Sequence, residues 1–235
     1  MADGAPGRTI DAGFAPELLI WLSPAFPTGA FAFSHGLERL VEARVVRDRA
    51  TLVDWLRDLA SLGGLRNDCV LLAAAWRAAA KADAAMLEDV AELAAALAPS
   101  AERQLETLTQ GRAFAAAIAA AWSCPSLARL LERGDGAIAY PLAVGAATAD
   151  RAIELGDVLR AYVVAFATSL VSAAIRLSVI GQFDGQRVLA EILDDLRSLA
   201  AWAETTSLDD LGGAMLLSDI ASMEHETQYT RLFRS

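Results

Sequence analysis

Trp21-Leu22-Ser23-Pro24-Ala25-Phe26-Pro27-Thr28-Gly29-Ala30-Phe31-Ala32-Phe33-Ser34-His35-Gly36-Leu37-Glu38 breaks the pattern of the rest of the chain. Around it the sequence is rich in alanine and leucine and reads as helix. These eighteen residues hold two prolines, two glycines, three phenylalanines and one of the chain's two histidines. Pro24 and Pro27 fix their own φ and push the residues before them toward extended conformations. Gly29 permits a tight turn at positive φ. From Phe33 the apolar positions run Phe33, Leu37, Leu40, Val41, which is helical spacing. The stretch therefore reads as a rigid extended segment, anchored by Phe26, Phe31 and Phe33, that delivers the chain into a helix. By pattern alone it is a helix–loop–helix connection.

Outward from it, the chain reads as helix after helix. Pro16 opens a short one through Leu22. Asp48 or Thr51 caps the next, with Leu52, Trp55, Leu56 and Leu59 on one face, and Gly63-Gly64 ends it. Leu65, Leu72 and Trp76 mark a third. Met86, Val90, Leu93 and Leu97 mark another, stopped before Pro99. Ser100 caps a helix with Leu105, Leu108, Ile118 and Trp122 among its apolar positions, and Glu102 suits the positive end of its dipole. Cys124-Pro125 breaks it, a short leucine helix follows, and Gly134-Asp135-Gly136 reads as a turn. Tyr140-Pro141 begins a nearly uncharged segment, and Asp157 a long core helix through Leu177. Gly181 to Gln186 reads as a loop, Val188 to Leu199 as a strong amphipathic stripe, Thr205 to Gly213 as a second loop, and Ala214 to about Glu224 as a last helix. No segment alternates over a strand's length. The expected fold is all-α, a single bundle-like domain of about ten helices.

Composition narrows the function. The chain has 235 residues, 55% of them hydrophobic and 21% charged, which suits a globular domain with a substantial core. A formal charge of −10 argues against a nucleic-acid binder. Lys81, in Ala80-Lys81-Ala82-Asp83, is the only lysine, and it follows no glycine-rich turn, so the chain is not a P-loop GTPase. Cys69 and Cys124 form no C-x-x-C pair and read as buried thiols. Met1-Ala2-Asp3-Gly4 opens acidic and no apolar core follows a basic start, so no signal peptide is expected, and the uncharged run Ala161–Ile175 is too short to span a bilayer. The expectation is a cytoplasmic protein with no membrane contact.

Few residues invite chemistry. His35 and His225 are the metal candidates, but neither has H-x-x-x-H or C-x-x-C spacing, and His35 with Glu38 supplies only two ligands. Asp194-Asp195 and Asp209-Asp210 resemble the pairs with which all-α isoprenoid synthases hold magnesium. The third carboxylate of such a motif is missing: Leu196-Arg197-Ser198 follows one pair and Leu211-Gly212-Gly213 the other. Neither histidine has an obvious serine or cysteine partner. An all-α magnesium enzyme using Asp194 and Asp195 is thus the alternative to a non-enzymatic protein. The tail, by contrast, carries Met223, Tyr229, Arg231, Leu232, Phe233 and Arg234, residue types that anchor interfaces.

The wording of the two ends adds a family. The opening stretch closely resembles the W-L-S-P-x-F-P-x-G-x-F-x-x-S-H-G-L-E signature of the UreF urease accessory proteins. The tail, His225-Glu226 through Arg231-Leu232-Phe233-Arg234-Ser235, resembles their H-E-x-x-x-x-R-L-F-R-S ending. Tyr140-Pro141, and Arg176-Leu177 followed by Gly181-Gln182, agree in order. The resemblance implies a scaffold without catalytic residues or a cofactor of its own, through which nickel is relayed. Implied partners are UreD (UreH in some systems), the GTPase UreG, apo-urease and a second copy of the chain. It marks Phe26, Pro27, Phe31, Ser34, His35, Glu38, Tyr140, Arg176, Gln182, His225, Tyr229, Arg231, Leu232, Phe233 and Arg234 as partner-binding, with Arg176 the match for a residue meeting the GTPase. The expected organisation is a flexible residue 1–13 segment, an all-helical domain over 14–224, and a tail over 225–235 that is poorly ordered until a partner covers it.

Overall fold

The computed structural model describes residues 15–132 and 136–234. The expected mobile start and the Gly134-Asp135 turn lie outside them. The described residues form eleven α-helices and no strand: α1 (Pro16–Trp21), α2 (Leu37–Glu42), α3 (Arg49–Leu62), α4 (Gly64–Ala80), α5 (Ala84–Ala96), α6 (Ala101–Ala121), α7 (Pro125–Glu132), α8 (Tyr140–Asp150), α9 (Leu155–Arg176), α10 (Gln182–Ala203) and α11 (Leu216–His225). Two short 3-10 turns, Ala30–Ala32 and Leu208–Asp210, sit in the loops. The helix starts follow the sequence. Asp48 accepts from the Thr51 N–H while Thr51 answers the Asp48 N–H, and the Ser100 hydroxyl accepts from the Arg103 N–H at 3.1 Å. Pro16 and Pro141 stand in first turns, where their missing N–H costs nothing.

At the centre α4 crosses α8. Every residue of α8 from Pro141 to Thr148 is buried, as expected of a helix that is apolar all round. The crossing is close: a Cβ on Gly145 would lie 2.5 Å from the Leu72 carbonyl oxygen. Around this pair α6 packs on α8, α9 on α10, and α10 on α3, while α11 lies across α2 and α6. Among the described residues α9 alone is long and apolar enough to cross a membrane, and half of its most apolar window is buried in the bundle.

Three local expectations need correction. Gly181–Gln186 is not a loop. α10 starts at Gln182 because Gly185, a residue that reads as a helix breaker, is a packing contact: a Cβ there would sit 3.0 Å from Val171 and Ile175 of α9. In α5 the buried stripe is Leu87, Val90, Ala91 and Ala94, with Met86 exposed. In α6 Leu105 faces out, for a reason that belongs to the site.

Candidate functional site

The opening stretch folds as a hook. Trp21 is buried with its ring edge-on to Phe114 and Trp122, and Phe26 packs 5.3 Å from Phe114. Gly29 takes φ +75°, as the turn requires, with open space around it. Phe33 is buried, but Phe31 is 72% exposed, so one of the three expected anchors is instead presented to solvent. The chain then turns through two left-handed residues, His35 (φ +60°) and Gly36 (φ +80°), into α2. Gly36 also lies so close to α11 that a Cβ would meet the Ser222 nitrogen at 3.3 Å. The buried Ser34 hydroxyl accepts from the Glu38 N–H at 3.3 Å and holds the first turn.

The expected disordered tail is not found; the tail closes on this hook. Glu38, buried on α2, is the acceptor that the sequence pattern does not reveal. Its carboxylate accepts from the Leu232 N–H at 2.7 Å and the Phe233 N–H at 2.9 Å, and His225 Nε2 lies 3.0 Å away. On the other side of the imidazole, Nδ1 lies 2.8 Å from Glu102 Oε2, and Arg231 donates to Glu102 Oε1 at 2.9 Å. Phe233 is buried and the Arg176 guanidinium stacks on its ring at 4.3 Å. Arg176 also donates to the Phe31 carbonyl, and the Arg234 N–H to the Ala32 carbonyl at 2.8 Å. The tail therefore supplies its own packing, because its amides and ring find partners in the hook. Tyr229 and Leu232 remain exposed.

A second polar group lies behind the hook. His35 is buried with its ring edge-on to Phe166 at 5.0 Å, and Nδ1 stands 3.7 Å from Glu106. Burial, helped by the Arg103 charge, pushes this imidazole down to about 4, against Glu106. Burial would push Glu106 up, but Arg103, which pairs with it, and His35 together hold it at about 2. Desolvation lifts Asp68 to about 6 against Arg103 and the Tyr162 hydroxyl, which donates to it at 3.1 Å. These groups, with Trp21, line a cavity of about 150 Å³. Tyr140, half-buried between Phe114 and Tyr162, closes the same region, and its N–H donates to Thr107.

The remaining candidates are scattered. Pro27 and Gln182 are exposed, the latter at the start of α10. Asp194 pairs with Arg197 and Asp195 with Arg57 on the outer face of α10, while Asp210 answers the Ser207 N–H in a turn cap. These are solvated or capping carboxylates, and the magnesium-enzyme reading finds no support in them. Among the described residues no three His, Cys, Asp or Glu side chains converge as a metal site. Pattern reading missed Glu102, Glu106 and Gln110. They are buried at four-residue spacing on the face that continues into Phe114 and Ile118, and that continuity was the available signal.

Fold and site together define an all-α protein with a buried polar junction that joins the opening hook to the tail, and with Phe31, Tyr229 and Leu232 exposed. Comparison with known proteins gives the family. A UreF family model matches residues 46–193. The chain is 50% identical over 221 residues to a urease accessory protein UreF of Methylobacterium radiotolerans, covering 94% of this chain and 96% of that protein. It is 48% identical over 238 residues to a urease accessory protein UreF of Rhodopseudomonas palustris strain BisA53, along the whole of both chains. The chain belongs to the UreF family of urease accessory proteins.

Proposed function

We propose that this chain is a non-enzymatic cytoplasmic scaffold of urease maturation, joining a UreD/UreH partner and the UreG GTPase to apo-urease so that nickel is inserted with GTP hydrolysis. Nickel is cargo relayed through the assembly, not a resident cofactor. The observation that carries the reading is the exposed apolar surface built by the family's own signature ends. Phe31 from the hook, Tyr229 and Leu232 from the tail, and Leu216, Leu217, Ile220 and Met223 on α11, from which the tail runs on, are all exposed. Exposed apolar residues concentrated in one stretch of chain, as over residues 216–232, are a cost in water and a contact for a partner. We assign this face to UreD. Arg176, Gln182 and the exposed Phe183 mark the edge assigned to UreG, and Leu19, Ile20 and Val164 the face assigned to a second copy.

The test uses side chains that the fold does not need. Tyr229→Asp with Leu232→Asp should keep the melting temperature of the parent while co-purification with UreD falls at least about tenfold, the effect of losing roughly 1.4 kcal/mol at an interface. Recruitment of UreG to the pair should fall with it. Wild-type recovery of UreD by the double variant would place the docking face elsewhere.

A further inference from the structure

We propose that the buried Glu38–His225–Glu102 cluster is a proton-binding site, and that its bound proton seats the C-terminal tail. Hydrogen-bond counting carries the inference. Both ring nitrogens of His225 face carboxylate oxygens, Nε2 that of Glu38 at 3.0 Å and Nδ1 that of Glu102 at 2.8 Å. The other contacts of these carboxylates are also with donors: the Leu232 and Phe233 N–H groups on Glu38, and Arg231 on Glu102. The Arg231 guanidinium on Glu102 and the two N–H groups on Glu38 favour the ionised carboxylates, so the proton falls to the ring. A neutral imidazole offers one N–H and one lone pair. One ring nitrogen would then aim its lone pair at a carboxylate, in a space where the three side chains are 0%, 9% and 7% exposed. Such a contact, an acceptor lone pair facing a carboxylate with no hydrogen between them, is costly when buried.

A second ring N–H satisfies every atom, and the charges of Glu38, Glu102, His225 and Arg231 then cancel. The neighbouring charged groups are engaged elsewhere. Arg39 of α2 pairs with Glu224 of α11, Glu226 accepts from the Ala101 N–H at the start of α6, and Arg103 of α6 pairs with Glu106. The two carboxylates lie on opposite sides of the ring, so no single point reaches both of them and a ring nitrogen. The geometry suits a proton and not a metal ion. Because Glu38 holds both the ring and the tail amides, loss of the proton loosens them together. This inference concerns the free chain and stands apart from the partner assignment.

The experiment is nitrogen NMR of the histidine rings in the full-length chain, read beside amide exchange of Leu232 and Phe233 across neutral to alkaline buffer. The chain has two histidines, so a His35 variant assigns the spectrum. The comparator is Glu102→Gln. Its amide can donate to Nδ1 while its oxygen still accepts from Arg231, so a neutral ring satisfies the whole set. At about pH 7, where an imidazole in water is mostly neutral, both His225 ring nitrogens should carry protons in the parent and only Nε2 in the variant. As the parent ring loses its second proton, opening of the two tail amides should rise at least about tenfold in step with it; the variant should show no such step. A singly protonated parent ring at about pH 7 with the tail still protected would overturn the proposal. So would tail opening that ignores the ring signal, or a step that persists in Glu102→Gln. Should that variant not fold, the parent's ring protonation and its coupling to the tail still decide the matter.

Discussion

The two histidines of this chain, His35 and His225, are both buried and both lie in signature stretches, yet they sit in opposite settings. His35 has Arg103 and a cavity beside it, and its imidazole is held neutral, down to about 4. His225 has a carboxylate against each ring nitrogen. One residue type thus does two jobs. His35 shapes a turn and packs against Phe166, whereas His225 ties three segments that are far apart in sequence. The burial that the two share fixes neither role; the neighbours' charges do.

The largest difference should appear on deletion. His225→Ala removes the ring that bridges two buried carboxylates and leaves Glu38 with only the tail amides and Glu102 with only Arg231, which should cost about 3 kcal/mol, the lower end for a broken buried pair. Chemical denaturation should register this as a fall in midpoint together with exposure of the tail to protease. A loss below about 1 kcal/mol would erase the contrast between the two sites.

The backbone of the hook gives a sharper, smaller test. Gly36→Val meets both a left-handed φ and the approach of Ser222, and should cost on the order of 1–3 kcal/mol. Gly29→Val meets only the left-handed φ, since nothing lies within 4 Å, and should cost about 1 kcal/mol. Equal melting shifts for the two variants would show that α11 does not press on the hook.

Acid titration separates His35. Its folded value, about 4, is below the ordinary 6.5, so between them the unfolded chain binds a proton that the folded chain does not. The contribution is complete above about 6.5 and is lost as pH falls toward 4. Glu106, held at about 2, carries the loss to lower pH, while Asp68, raised to about 6, works in the opposite direction. His35→Asn should therefore flatten the acid side of the stability curve relative to the parent, and an unchanged slope would mean that the ring takes up its proton alike in the folded and unfolded chain.

The smallest effect belongs to the outer face of α10. Asp194→Asn breaks an exposed pair with Arg197 and should change stability by less than about 0.5 kcal/mol, with no magnesium-dependent property altered.

Helix order and most caps were legible in the sequence because Pro16, Asp48, Ser100 and Pro141 act locally. The site was only half legible. Gly185 and Glu102 follow local rules as a breaker and a dipole partner, but tertiary contacts gave them other work, against α9 and His225 respectively. Phe31 and Phe33 are two residues apart and alike in composition, yet one is exposed and one buried, because the turn between them sets which points inward. The order of the tail could not be read at all, since the acceptor it folds onto, Glu38, lies almost two hundred residues earlier, at a separation of 194 from Leu232.

Hydrogen exchange at the Leu232 and Phe233 amides of the free protein tests most directly whether the two ends of the chain form one junction. Bonded to Glu38 at 2.7 and 2.9 Å, these amides should exchange far more slowly than those of the exposed Tyr229 and Thr230, and Glu38→Ala should abolish the difference. Exchange of all four at unstructured-chain rates in the unmodified protein would mean that the tail is free and the junction does not exist.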